Sequence, residues 1–285
     1  MTASTTTITT TAPAACLIGW PATHSRSPII HRYWLREFGI NGDYRTEAVH
    51  PDDFAAFIAA LSANGYVGAN VTIPHKEQAL ALSNPDSRAR AVGAANTLWF
   101  DNGVLCSTNT DVEGFIDNLD DCAPGWDSAG DAVVLGAGGA ARAVVYALIE
   151  CGFRRIHLVN RTPMRAVSLR EAFGKAVNPV EWHELPELLP RANLFVNTTS
   201  LGMKGQEPLP VDVARLPDQA VVADLVYVPL ETELVQAARA RGLRVADGLG
   251  MLLHQAVRGF ELWFGRRPTV TAELRRLVEV DLVSH

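Results

Sequence analysis

The sequence predicts an α/β fold in two parts: an N-terminal α/β part with a mainly parallel sheet, and a Rossmann-type dinucleotide-binding part. Three observations predict it. Apolar strand-like runs alternate with helix-like segments along nearly the whole chain, the pattern of a parallel sheet covered by helices. Residues 131–152, DAVVLGAGGAARAVVYALIECG, run strand, glycine-rich turn and helix in the order that a dinucleotide site requires. The chain has 285 residues, nearly half apolar and a fifth charged, enough for one large core or two moderate ones.

Each element follows from local pattern. Residues 1–14 are threonine-rich, lack the basic n-region of a signal peptide, and are expected to form a disordered tail. CLIGW (16–20) is a short buried strand, and 28–38 a helix that Pro28 starts with Ser27 before it as N-cap. DYRTEAV (43–49) is a strand and 52–61 a helix; YVGANVTI (66–73) is a strand that Pro74 stops, and 75–82 a helix. NTLWF (96–100) and GVLCS (103–107) flank Asp101-Asn102 as a hairpin. Thr110-x-x-Glu113 has the form of a capping box, with Asp111 a favourable first-turn acid. DDCAPGWDSAGD (120–131) holds Pro, Gly and several acids and marks a boundary. Beyond it come strands at 131–136, 156–160, 193–198, 221–228 and 243–247, and helices at 141–152, 231–241, 251–264 and 270–283.

Bulk properties exclude some partners. The formal net charge of −6 argues against nucleic acid, because phosphate binding needs a basic surface. No apolar run reaches membrane-spanning length, so no membrane partner is expected. Cys16, Cys106, Cys122 and Cys151 form no CxxC pair and no metal-ligand spacing with histidine. Free thiols in a reducing, cytoplasmic compartment, with no metal, are the expectation.

The glycine turn carries the first functional signal. In the run Gly136, Ala137, Gly138, Gly139, Ala140, the first glycine allows a tight turn and Gly138 lets the backbone approach a pyrophosphate. Ala141 permits close helix–strand packing, and the helix N-terminus faces the phosphates. About twenty residues on, an NAD enzyme would place an acid for the ribose hydroxyls. This chain instead reads Asn160-Arg161-Thr162, with Arg165 one turn into the next helix. Guanidinium groups and a hydroxyl suit a 2′-phosphate, so the expected cofactor is NADP.

The second signal is ANVTIPHKEQ (69–78), which puts Lys76 in the first turn of a helix, where the helix dipole disfavours a cation. Asp111, ionised at the start of another helix, is a candidate partner. Ser25 and Ser27, before Pro28, offer hydroxyls and free N–H groups that could hold a carboxylate or merely start a helix.

These residues fall in motifs that resemble shikimate dehydrogenase: HSRSP (24–28), NVTIPHK (70–76), GAANTL (93–98), NTD (109–111), GAGGAARA (136–143), NRTPMR (160–165), NTTSLGM (197–203), DLVYVPLET (224–232) and GLGMLLHQA (248–256). The resemblance runs from about Ile18 to the last helices. It implies NADP-dependent, reversible hydride transfer between 3-dehydroshikimate and shikimate at C3. Lys76 and Asp111 would be the acid–base pair, or Lys76 would mainly bind the C4 hydroxyl while a water moves the proton. Ser25 and Ser27 would hold the substrate carboxylate. Thr72, Asn96 and Gln255 would reach its hydroxyls or carboxylate, with Tyr227 contributing from the cofactor side. Thr198, Ser200, Met203, Leu225 and Gly248 would line the nicotinamide. The last helices would return to the first domain, giving 15–111 with 248–285 as substrate domain and 112–247 as Rossmann domain. The protein would be a monomer or homodimer. A quinate-using relative working with NAD and a non-catalytic NADP-binding regulator are the alternatives.

Overall fold

The computed structural model describes residues 12–22, 25–128 and 130–284. The first sheet takes strands β1 (Ala14–Gly19), β2 (Asp43–Ala48), β3 (Tyr66–Val71), β4 (Asn84–Pro85), β5 (Thr97–Asp101) and β6 (Val104–Thr108), in the spatial order β2-β1-β3-β5-β6-β4. β1 pairs in parallel with β2 and β3, whereas β5 runs antiparallel to β3 and β6, so the sheet is mixed. Helices α1 (Ser27–Glu37), α2 (Phe54–Ala59), α3 (Lys76–Ala81) and α4 (Ser87–Val92) connect these strands, and α5 (Thr110–Cys122) leads out of the sheet.

The second sheet is wholly parallel. Its strands are β7 (Asp131–Leu135), β8 (Arg155–Val159), β9 (Val177–Val180), β10 (Ala192–Asn197), β11 (Val221–Asp224) and β12 (Arg244–Asp247), ordered β12-β11-β10-β7-β8-β9. Helices α6 (Gly139–Glu150), α7 (Pro163–Phe173), α8 (Leu185–Leu188) and α9 (Glu233–Ala240) cover it. The apolar run of β7 is buried on both faces. Ala132 and Val134 join one core, Val133 and Leu135 the other, as side chains alternate across the sheet. Strand order reverses between β7 and β10, which makes the carboxyl end of that pair the switch point where ligands bind.

Helices α10 (Gly248–Phe264) and α11 (Ala272–Ser284) return to the first sheet. Leu249, Leu253 and Phe260 of α10 and Leu274 and Val278 of α11 share a core with Ile30 and Trp34 of α1. Trp263 Nε1 donates to Leu98 O in β5 at 2.8 Å. α10 also crosses α5 closely. A Cβ on Gly114 would lie 2.6–2.8 Å from Gln255 backbone and Cβ atoms. None of the helices among the described residues is long and apolar enough to cross a membrane.

Several local expectations are corrected. Residues 1–11 of the expected tail lie outside the described residues, but Ala14 already belongs to β1, and Asp43 N donates to Pro13 O at 3.1 Å. Ser27 is helical rather than the N-cap. Arg26 takes that place without a side-chain cap, and Ser27 N donates to Ser25 Oγ at 3.2 Å. Thr110 is likewise the first helical residue of α5. Asn109 is the cap, and Glu113 reaches Arg88 instead of closing a box. The strand expected over 221–228 ends at Asp224, because its last half turns away to line a cleft. The apolar pattern does not single out β4, α4 or β9, which are short or polar.

Candidate active site

Lys76 is the first residue of α3, directly after the turn that follows β3. Its Nζ donates to Asp111 Oδ2 at 2.8 Å, with the two side chains 29% and 21% exposed. The other oxygen, Asp111 Oδ1, accepts from Asn96 Nδ2 at 2.9 Å. Asn96 is fixed in turn, its Oδ1 accepting Thr110 N at 2.8 Å. Asp111 lies in the first turn of α5, where the helix dipole favours a carboxylate. A cation repelled by its own helix start is thus held by an acid that another helix start stabilises. Ala95 N donates to Lys76 O at 2.9 Å, tying α3 to the segment that carries Asn96.

A cavity of about 520 Å³ opens over this pair. Ser25, Ser27, Thr72, Asn96, Tyr227 and Gln255, six residues expected to touch substrate, all line it. Among the described residues that line it, Lys76 and Asp111 are the only charged side chains. An anionic ligand here therefore meets hydroxyls and amides around one neutralised ion pair. Ser25 Oγ donates to Ser27 Oγ at 3.2 Å. Burial pushes the Tyr227 hydroxyl up from its ordinary value, against the pull of Arg26, so it stays a neutral donor. Gln255 Nε2 donates to Leu252 O at 3.0 Å.

Asn70 also lines the cavity, and sequence reading passed over it. Its Oδ1 accepts Tyr44 OH at 2.6 Å, and its Nδ2 donates to Asn96 O and Thr97 Oγ1. It braces the Asn96 segment from behind. The motif NVTIPHK contains it, but only the fold shows that its side chain faces the cavity rim.

A second cavity, of about 450 Å³, lies at the switch point. Gly136, Ala137, Gly138, Asn160, Arg161, Thr198 and Ser200 line it. Gly136 has a φ of +103°, and an added Cβ there would meet Thr198 Oγ1 at 2.5 Å. Gly138 caps α6 with no side chain on the helix N–H groups, and nothing lies within 4 Å of where its Cβ would point. That open, uncapped helix start fits a pyrophosphate. Arg161 is the cation at the tip of β8, and the acid in the lining, Glu207, comes from the loop after β10 instead. The residues present therefore fit NADP.

The structure separates some expected cofactor residues from the rest. Gly139, Thr162, Arg165 and Met203 line neither cavity. Ala140, Leu225 and Gly248 open into the cavity of Lys76, so the start of α6 and the Lys76–Asp111 pair face one space. Gly248 must be glycine because a Cβ would lie 2.4 Å from Leu225 O. One buried carboxylate joins the two loops on this side. Asp224 accepts from Asn197 Nδ2 at 2.9 Å, Val226 N at 3.1 Å and Thr232 Oγ1 at 2.6 Å.

Fold and site together define a two-part α/β oxidoreductase, with a dinucleotide site at the switch point and the Lys76–Asp111 ion pair in the adjoining cleft. Residues 17–98 match the shikimate dehydrogenase substrate binding domain, 126–204 the shikimate/quinate 5-dehydrogenase family, and 248–272 the shikimate 5′-dehydrogenase C-terminal domain. Shikimate dehydrogenase (NADP(+)) of Nitrobacter winogradskyi is 69% identical over 96% of this chain and 98% of its own length. The Thermus thermophilus shikimate 5-dehydrogenase solved with NADP(H) and shikimate has a TM-score of 0.81 at 34% identity, covering 95% of this chain and 98% of that one. Quinate dehydrogenase of Corynebacterium glutamicum, solved with NAD, has a TM-score of 0.86 at 32% identity, covering 94% and 98%. The chain belongs to the shikimate dehydrogenase family.

Proposed function

We propose that this enzyme reversibly reduces 3-dehydroshikimate to shikimate with NADPH, and that Lys76 and Asp111 are its acid–base pair. The 2.8 Å contact of Lys76 with Asp111, in a cavity that Ala140 at the start of α6 also lines, carries the assignment. Bound NADPH supplies the hydride to C3. Lys76 gives its proton to the C3 oxygen during reduction and takes it back during oxidation. Asp111 holds the amine in line, while Asn96 keeps the carboxylate from turning. Ser25 and Ser27 receive the substrate carboxylate, helped by Tyr227, and Thr72 and Gln255 reach the remaining polar groups. Neutral donors suit this task because a second cation would compete with Lys76 for Asp111.

Arg161 with Asn160 supports NADP over NAD, since a guanidinium binds a 2′-phosphate through paired donors. Residues 15–111 with 248–285 form the substrate domain and 112–247 the cofactor domain in this reading. Four free cysteines support a reducing, cytoplasmic compartment in the same reading. The test is turnover of purified protein with shikimate or quinate, each with NADP or NAD, followed by the absorbance of the reduced nicotinamide. Turnover led by shikimate with NADP is expected. Quinate with NAD as the best pair would overturn both the substrate and the Arg161 assignment.

A further inference from the structure

Among the described residues lining the cofactor cavity there is one aromatic side chain, Trp182, which no motif points to. Trp182 opens a short 3-10 turn, Trp182–Glu184, just after β9. The register of the parallel pair β8 and β9 sets Val159 opposite Val180. Asn160-Arg161 and Glu181-Trp182 therefore leave the sheet side by side at its carboxyl edge. The order of strands β7, β8, β9 then gives an order of surfaces: the glycine turn, the arginine, the tryptophan.

The indole is held, not loose. It packs against the core that contains Leu135 and Val159. A reciprocal capping box between Glu181 and Glu184 fixes the turn that carries it, with Glu181 N donating to Glu184 Oε2 at 3.1 Å. Its partly buried ring still forms part of the cavity wall. The remaining lining is glycine, hydroxyl, amide and charged side chains, with Ala137 and Leu201 the other apolar ones.

A dinucleotide carries one flat, uncharged aromatic group at the end away from the nicotinamide, its adenine. With the pyrophosphate on α6 and the 2′-phosphate at Arg161, the base extends from the same ribose toward the β9 side. We propose that Trp182 is the adenine-contacting wall of the cofactor site, a positioning surface that works beside Arg161. This rests on the NADP reading above and adds the residue that holds the base. Base–aromatic stacking is worth roughly tenfold to a hundredfold in affinity.

The test uses adenosine 2′,5′-bisphosphate, the cofactor half without nicotinamide, and titration calorimetry on the whole protein. Trp182→Ala is expected to weaken its binding at least about tenfold, and Trp182→Phe only a few-fold, because a smaller ring keeps a stacking face. Wild-type tryptophan emission should change on binding, and the change should vanish in Trp182→Phe. Arg161→Ala should also weaken this ligand, and should leave adenosine 5′-phosphate binding unaltered where Trp182→Ala does not. Unchanged affinity in Trp182→Ala, or an emission change that persists in Trp182→Phe, would overturn the proposal. Should Trp182→Ala fold poorly, the wild-type and Trp182→Phe measurements decide the matter. A wild-type protein that binds neither the bisphosphate nor NADPH would instead refute the NADP reading itself.

Discussion

Lys76 and Arg161 are two cations with opposite local logic. Lys76 stands at a helix start that disfavours it, and depends on Asp111, which Asn96 holds from the other side. If Lys76 moves the proton as proposed, removing its amine abolishes that transfer without emptying the cavity of its serine, threonine and glutamine donors. Lys76→Ala is expected to lower kcat by about 10²–10⁴-fold with a much smaller change in shikimate affinity, measured by steady-state kinetics and equilibrium binding. A kcat near wild type would take Lys76 out of the chemistry. Arg161 faces the cofactor cavity directly, while Arg165 does not line it. Arg161→Ala should raise the KM for NADP about tenfold or more and leave that for NAD nearly unchanged, as one charge-assisted contact is worth ~1.5–3 kcal/mol. Arg165→Ala should do far less. Equal losses with both cofactors would contradict the 2′-phosphate assignment.

The decisive element contact is the crossing of α5 and α10. α5 carries Asp111 in its first turn, and α10 carries Gln255 on the face that Gly114 meets. A side chain at 114 would strike Gln255 N and Cα at 2.7 and 2.8 Å, and backbone cannot step aside as a flexible side chain can. Gly114→Ala should therefore force the helices apart, at a cost of about 1–3 kcal/mol. A fall in Tm with a raised KM for shikimate is expected from thermal unfolding and kinetics. An unchanged Tm would mean that the crossing relaxes freely. The loop after β11 shows the same dependence on a partner. Residues 225–228 look like strand by composition, but Asp224 ties Val226 N, Asn197 and Thr232 together and turns that segment toward the cavity. Local propensity favoured extension; the buried carboxylate won.

Across the whole molecule, acid stability follows from histidines buried without charge. His31 is fully buried and stacks on Tyr44 at 4.2 Å between ring centroids. Burial pushes it down to about 3, with Asn70 opposing, from an ordinary value of 6.5. His75 and His254 are shifted the same way by burial. In the unfolded chain these rings take up a proton below their ordinary value; in the native protein His31 does not until about pH 3. Stability should thus be full above the unfolded value and fall as pH drops from there toward the folded one, by about 1.4 kcal/mol per unit from His31 alone. Chemical denaturation at stepped pH, comparing wild type with His31→Phe, measures that slope as a difference. Identical slopes would show that His31 is protonated in the native state.

Much of this was legible in the chain because it rests on short-range pattern. Alternating β and α segments, Gly136-x-Gly138 and the NRTPMR stretch are local, and the sequence by itself determined the α/β class, the dinucleotide site and the pairing of Lys76 with Asp111 as candidates. Tertiary structure decided what depends on distant segments meeting. Asn70 became part of the site only when β3 and β5 paired, because Asn96 and Thr97 lie across that ladder. Trp182 reached the cofactor cavity only through the register of β8 and β9. The helix starts moved by a residue because Asn109 and Arg26, not Thr110 and Ser27, occupy the cap positions. Periodicity reports which face of an element is apolar; it carries no information about which polar side chain another element will bring to that face.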